Sequence, residues 1–265
     1  MPAMKNYLQL NVSTWNYSCI YGNSVRLEEI VPEINAEGFG VELAMNWSPE
    51  PNIFDKANWP KIKSIMSESK NISIHSKCDN KDWDSLKKEI ELTAFLDAKL
   101  LVVHVLNFGV VEMENKLEID EEYFKNALDF AKANKVILAL ENGFFSSLKR
   151  FCKIAKDAEN LKICFDIGHA NNPKQSLLEK DSAKAFIDEF GQKITHLHFH
   201  DNNGEVDEHL VPGEGNIDWQ TTMNLLKESD IKLSGALELR GKITDTRKAY
   251  NQARSFLEKT ILKND

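Results

Sequence analysis

His196, His198, His200, Asp201, Asp207 and His209 fall within fourteen residues of the stretch ITHLHFHDNNGEVDEHLVPGEGN, residues 194–216. Imidazoles and carboxylates hold divalent cations and move protons, and neither an apolar core nor an ordinary solvated loop demands six of them so close together. The first half alternates. A strand over residues 194–200 turns His196, His198 and His200 to one face and Leu197 and Phe199 to the other. Three imidazoles on a buried face need partners, and the partner this composition implies is a cation. Any one of the histidines alone is explained as well by a half-exposed strand facing water. The run of three, followed by Asp201 and then by Asp207 and His209, is what points to a metal site.

The elements that must position such a site recur along the whole chain. A short apolar or alternating run, a loop and an amphipathic segment follow one another eight times. Strands are expected over residues 7–15, 40–46, 72–76, 100–106, 136–140, 161–167, 194–200 and 235–239. Helices are expected over 24–37, 59–70, 83–98, 121–134, 147–158, 182–190, 219–229 and 244–262. Ser24 and Asp218 are natural N-caps, Gly38 follows the end of the first helix, and Pro60 suits a first helical turn. Strict alternation implies parallel strands joined by helical crossovers. Eight units in 265 residues predict an α/β fold, a single (β/α)8 TIM barrel occupying residues 1–265 as one domain. An open doubly wound sheet is the alternative. It usually carries a glycine-rich phosphate loop after its first strand, and NVSTWNYSCIYGN is not one.

A barrel builds its active site from the C-terminal ends of its strands, and here those ends are polar. His75 closes the third strand, and His104 lies in the fourth, LLVVHVLNFG. Glu141 closes the fifth, LALENG, and Asp166 the sixth, FDIGHANN, with His169 three residues on. His198 lies in the seventh and Glu238 in the eighth, ALELRG. Burying so many ionisable groups in one barrel mouth without a metal would be very costly. Glu141, Asp166, His198 and Glu238 form an oxygen-rich donor set that suits Mn, Co or Mg. His75, His104, His169, Asp207 and His209 add the nitrogen for zinc if the site is multinuclear. The spacing alone leaves open whether His198 or His200 is the ligand.

Apolar and charged fractions of 42% and 28% are those of a globular protein with an ample core. The net charge of −8 argues against broad nucleic-acid binding, a local basic groove aside. MPAMKNYLQL lacks the charged and apolar regions of a leader, and no run approaches a membrane span, so a cytoplasmic protein is expected. Cys19, Cys78, Cys152 and Cys164 are far apart with no Cys-X-X-Cys, and are expected to be free thiols, mostly buried.

Through LEN, FDIGHA, HLHFHD, DEHLVPGEGNIDW and LELRG the chain resembles, over nearly its whole length, the xylose isomerase-like barrel superfamily. That superfamily holds sugar isomerases and epimerases together with endonuclease IV. In the ketose epimerase branch, the positions matching Glu141, Asp166, His198 and Glu238 hold one divalent ion. There the two glutamates also move the proton, and the position of His169 contacts substrate. In the endonuclease branch, a three-zinc cluster uses positions that look like His75, His104, Glu141, Asp166, His169, His198, Asp207, His209 and Glu238, and all nine residue types are present here. Two departures separate the branches. Endonuclease-like chains carry a Gly/Ala-rich segment after the first strand and a His-Pro-Gly after the fourth, where this chain reads NVSTWNYSCIYGN and HVLNFGV. Epimerases often place an arginine near the seventh strand, where this chain has Leu210.

The resemblance therefore implies a metal-dependent isomerase or epimerase of a sugar, sugar phosphate or polyol ketone, working by proton abstraction beside a carbonyl through a metal-stabilised ene-diolate. Glu141 and Glu238 are the expected acid-base pair. His169 would bind a substrate oxygen, Arg240 a distal hydroxyl or phosphate, and His75, His104 and Trp15 would line the substrate. A zinc phosphodiesterase acting on abasic-site DNA is the alternative, and a barrel that only binds a metabolite the third reading. A homodimer is a family expectation. Trp15, Trp47, Phe108 and Phe144 could pack on a sugar or simply cover the barrel top. Glu42 faces a similar choice, between the substrate and a buried base. VPGEGNID is expected to return His209 to the site, with Gly213 and Gly215 supplying unusual backbone angles.

Overall fold

A computed structural model of the protein describes residues 8–22, 26–45, 50–77, 81–112, 116–143, 145–172, 182–240 and 243–262. β1 (Leu8–Ser13) leads through α1 (Trp15–Tyr21) to α2 (Leu27–Ala36), β2 (Gly40–Ala44) to α3 (Trp59–Met66), and β3 (Ile72–His75) to α4 (Trp83–Phe95). β4 (Leu100–Val103) is followed by a hairpin, β5 (Gly109–Glu112) and β6 (Lys116–Ile119), and then by α5 (Glu121–Ala133). β7 (Ile137–Glu141) leads to α6 (Phe145–Ile154), and β8 (Leu161–Asp166) to α7 (Ile167–Asn171) and α8 (Ser182–Phe190). β9 (Ile194–Phe199) leads to α9 (Trp219–Glu228), and β10 (Leu233–Leu237) to α10 (Thr246–Leu262). The strands close a barrel in the order β1-β10-β9-β8-β7-β4-β3-β2, with every neighbouring pair parallel. This is the (β/α)8 TIM barrel that the alternation predicts.

The helices start where the sequence offers an acceptor. Asp82, Asp120 and Asp218 precede α4, α5 and α9, and each carboxylate accepts the N–H three residues on, from Ser85, Tyr123 and Thr221. Each thereby satisfies a donor that has no partner inside its helix. The first long helix differs from expectation. It begins at Leu27 with Arg26 in the cap position and no side-chain cap bond, and Ser24 lies outside the described residues, as does Tyr7. α1 and the β5–β6 hairpin fall in stretches expected to be strand tail and loop. β10 begins two residues before its expected start. Ser234 and Gly235 look like turn residues, yet a Cβ on Gly235 would collide with the Leu197 carbonyl, so glycine is what lets β10 lie against β9.

Alternation along the strands splits the interior in two. Leu43, Leu101, Leu138, Phe165, Leu197 and Leu237 turn outward into one continuous core shared with the helices, each burial contributing ~1.5–3 kcal/mol. Val102, Ala139 and Cys164 form a separate small cluster, on the alternate residues that face the axis. Around the rest of the axis stand Asn11, Glu42, Ser73 and His196, all buried. Among the described cysteines only Cys164 is fully buried. Cys152 is half-buried and Cys19, on α1, is exposed, while Cys78 lies outside the described residues. No helix among the described residues is long and apolar enough to cross a membrane.

Candidate functional site

The six strand-end residues meet. His75 is the last residue of β3, His104 follows β4, Glu141 and Asp166 end β7 and β8, His198 lies one residue short of the end of β9, and Glu238 follows β10. Parallel register does the positioning, since Asp166 pairs with His198, and His198 with Ala236 two residues before Glu238. One potential ligand atom from each of Glu141, Asp166, His198 and Glu238 lies within 4.8 Å of all the others, and all four residues are buried.

Among the described residues two further groups flank this one, while Glu42, His196 and His198, and His75, His198 and Glu238, make two more that share His198. His75 and His104 share Glu141, their Nε2 atoms 3.2 and 2.7 Å from its Oε2. On the other side stand His169, His200, Asp207 and His209, with the His209 Nε2 2.9 Å from Asp207 Oδ2 and the His200 and His209 rings stacked at 3.8 Å. The expected site residues are thus brought together, and His198 and His200 separate into different groups. His200 reaches Asp166 at 3.0 Å from the far side, its ring pressed so close to Gly168 that any Cβ there would overlap it.

Hydrogen bonds orient the imidazoles. The Nδ1 atoms of His75, His169 and His209 each lie 2.9 Å from a backbone carbonyl, those of Ser76, Asn142 and Glu238. A carbonyl only accepts, so Nδ1 carries a proton, and Nε2 is the nitrogen that faces the carboxylates and is left to ligate a cation. That is how a metal-binding histidine is prepared. His209 reaches its place with φ of 53°, a left-handed backbone uncommon outside glycine.

The charges are consistent with a site built around positive charge. Burial works to raise the Glu141 carboxyl, but His104 and His198 hold it well below the usual carboxylate range. Burial likewise opposes ionisation of Asp166, and His169 and His200 overcome it. Burial disfavours the charged form of His169, yet Asp166 and then Asp207 push it up to about 10. His209 moves the other way, lowered by burial and by the neighbouring His200. Both ring nitrogens of His198 are buried without a well-directed hydrogen bond, although carboxylate oxygens surround them at 3.3–3.6 Å. Three carboxylates and an imidazole with unsatisfied nitrogens fit a divalent cation. The nitrogen-rich flanking groups fit zinc.

The rim holds the expected substrate-lining residues. Trp15 is half-buried, edge-on to His209 at 4.8 Å, and the Arg240 guanidinium lies 5.8 Å over its ring. Arg240 also donates to the Asp207 carbonyl. Phe108 does not belong here. It is fully buried among Phe124, Phe151 and Tyr123, because a short 3-10 turn after β4 rolls it into the outer core. Trp47 and Phe144 lie outside the described residues.

Two roles were not foreseen from sequence. The Asn142 side chain pairs with both the N–H and the carbonyl of Asp166, while its own carbonyl holds His169. Asp201, grouped by spacing with the candidate ligands, staples the following loop instead. Its carboxylate accepts the N–H groups of Asn202, Gly213 and Ile217 and the Trp219 indole N–H. Gly213 has the expected left-handed angle, φ 94°. Gly215 does not. It is needed because a Cβ there would collide with the Asn202 carbonyl and the Asp201 carboxylate.

Residues 60–260 match the model of the family described as xylose isomerase-like TIM barrel. The chain belongs to that family. An uncharacterized protein of Methanocaldococcus jannaschii is 32% identical over 216 residues, 74% of this chain and 69% of that relative. Among solved structures, a D-tagatose 3-epimerase-like protein superposes with a TM-score of 0.71 at 23% identity, covering 97% of this chain and 100% of its own. An L-ribulose 3-epimerase superposes with a TM-score of 0.74 at 17% identity, covering 97% and 95%. At these identities the structural likeness establishes the shared barrel.

Proposed function

We propose that this member of the xylose isomerase-like family is a divalent-cation-dependent isomerase or epimerase of a sugar or sugar-like polyol ketone. The observation that carries the reading is the convergence of Glu141, Asp166, His198 and Glu238, two of them glutamates on strands separated by two others around the mouth. The likeness of the barrel to a D-tagatose 3-epimerase-like protein and an L-ribulose 3-epimerase supports it. When bound by these four residues, a cation such as Mn, Co or Mg supplies Lewis-acid polarisation of a carbonyl and its neighbouring hydroxyl.

The protein's own residues do the rest in this reading. Glu141, kept ionised by His104 and His198 against the effect of burial, accepts the proton of the carbon beside the carbonyl. His104, 2.7 Å from the Glu141 carboxylate, fixes the direction in which that base points. Glu238, approaching from β10, returns a proton to the other face, which inverts the carbon with no net change in atoms. His169, anchored by the Asn142 carbonyl, presents Nε2 to a substrate oxygen. Trp15 and Arg240 form the rim against which the rest of the substrate lies.

The flanking His75–His104–Glu141 and His169–His200–Asp207–His209 groups favour a second reading, a zinc phosphodiesterase whose two or three ions clamp a phosphate. Elemental analysis of protein purified without chelator or metal-binding tag tests one against the other. About one Mn, Co or Mg per chain, with conversion of one ketose from a panel, is the expected result. Two or three zinc ions per chain, with nicking of abasic-site DNA, would overturn the isomerase reading and establish the second.

A further inference from the structure

Glu42 is a fully buried carboxylate on β2 that no step above uses, and its surroundings are ordered in one direction. The Asn71 amide N–H donates to Asn11 Oδ1 at 3.0 Å, and the Asn11 amide N–H to Ser73 Oγ at 2.8 Å. The Ser73 hydroxyl then donates its one proton to Glu42 Oε2 at 2.8 Å. His196 Nε2 lies 2.8 Å from the same oxygen and, beside a carboxylate, is the donor. Gly40 keeps this arrangement open, since a Cβ there would collide with the Asn11 amide oxygen. Oε2 is thereby satisfied twice. Oε1 has no directed partner among the described residues, and His198 Nε2 lies 3.3 Å from it.

His75, His169 and His209 are each oriented by a backbone carbonyl at Nδ1. His198 faces the opposite way, with Nδ1 toward Glu141, Asp166 and Glu238 and Nε2 toward Glu42. We infer that Glu42 is the positioning residue of the cation site: its Oε1 accepts the Nε2 proton of His198, fixing the ring so that the Nδ1 lone pair meets the cation. The inference rests on the cation site proposed above. The donors at Oε2 hold the carboxylate still, and its charge makes the ring a better ligand, as a carboxylate behind a metal-bound histidine does. His196, which with Glu42 and His198 also forms a group of potential cation ligands, anchors Glu42 in this arrangement.

The test compares wild type with the Glu42→Gln and Ser73→Ala variants by chelator competition for Zn, with thermal unfolding of each. Glu42→Gln is expected to bind the cation about 10–100-fold more weakly, the range seen when such an outer partner is lost. Ser73→Ala removes one support from Oε2 and leaves Oε1 intact; it is expected to unfold at lower temperature while binding within about threefold of wild type, the loss being one modest hydrogen bond. If Glu42→Gln does not fold, Glu42→Asp keeps the charge but shortens the reach to His198, and the same weakening is expected. In the Zn-loaded, 15N-histidine-labelled protein, the His198 Nε2 proton is expected downfield and protected from exchange in wild type, and shifted and exposed in Glu42→Gln. Cation affinity and that proton unchanged in Glu42→Gln would overturn the role of Glu42 alone. Wild type that takes up no divalent cation would overturn the site reading, and Glu42's role with it.

Discussion

Asp201 carries four hydrogen bonds on one buried carboxylate, and the loop it holds delivers Asp207 and His209 to the site. In Asp201→Asn one oxygen becomes a donor facing donors, so about two of those N–H groups lose their acceptor. At ~1–3 kcal/mol for each buried group left unpaired, chemical denaturation should show a loss of about 2–6 kcal/mol; equal stability would refute the staple. The His, Glu and Asp at the strand ends were legible because barrel topology converts a position in a repeat into a place in space. The pairing of Glu42 with His196, 154 residues apart, was not, since neither neighbourhood names its partner. Asp201 was misleading for a related reason: composition groups it with the ligands, and only the path of the backbone turns it toward Trp219.

At the scale of elements, α4 is fastened to the loop after β3 by Glu89, which accepts from the Ser76 hydroxyl and the Lys77 N–H. Burial raises the Glu89 carboxyl, and those two donors only partly offset it. A carboxyl raised on folding contributes stability that is fully present below its unfolded pKa of about 4.3 and is lost as pH rises through the folded value. Glu89→Gln should therefore gain in melting temperature relative to wild type as pH rises from about 4 to 7. A difference that stays flat across that window would contradict this. Most helices and strands were readable from periodicity, and Asp218 caps its helix as expected, while Asp82 and Asp120 cap theirs without having been singled out. The β5–β6 hairpin was not, because each arm is only four residues long and no glycine marks the reversal.

For the whole molecule, the carboxylates of Glu42, Glu141 and Asp166 converge on one axis and are held down by imidazoles against burial. Carboxyls lowered on folding contribute stability above their unfolded pKa that is lost as pH falls through the folded values. The metal-free protein should consequently lose stability steeply in acid. A cation at a hundredfold excess over its Kd should add ~2.7 kcal/mol near neutrality, read as a higher melting temperature that a chelator reverses. No change on chelation would argue against a resident cation.

Transfer of hydrogen between solvent and substrate carbon is the direct sign of proton abstraction by Glu141 and its return by Glu238. Cation-loaded protein is incubated with a panel of ketoses in D2O, and deuterium at the carbon beside the carbonyl is followed by NMR. Deuterium is expected at the inverted carbon of one ketose or a close relative, with Glu141→Gln and Glu238→Gln each lowering the rate by ~10²–10⁴-fold. Absence of exchange into every ketose, together with cleavage of abasic-site DNA by the same preparation, would contradict it.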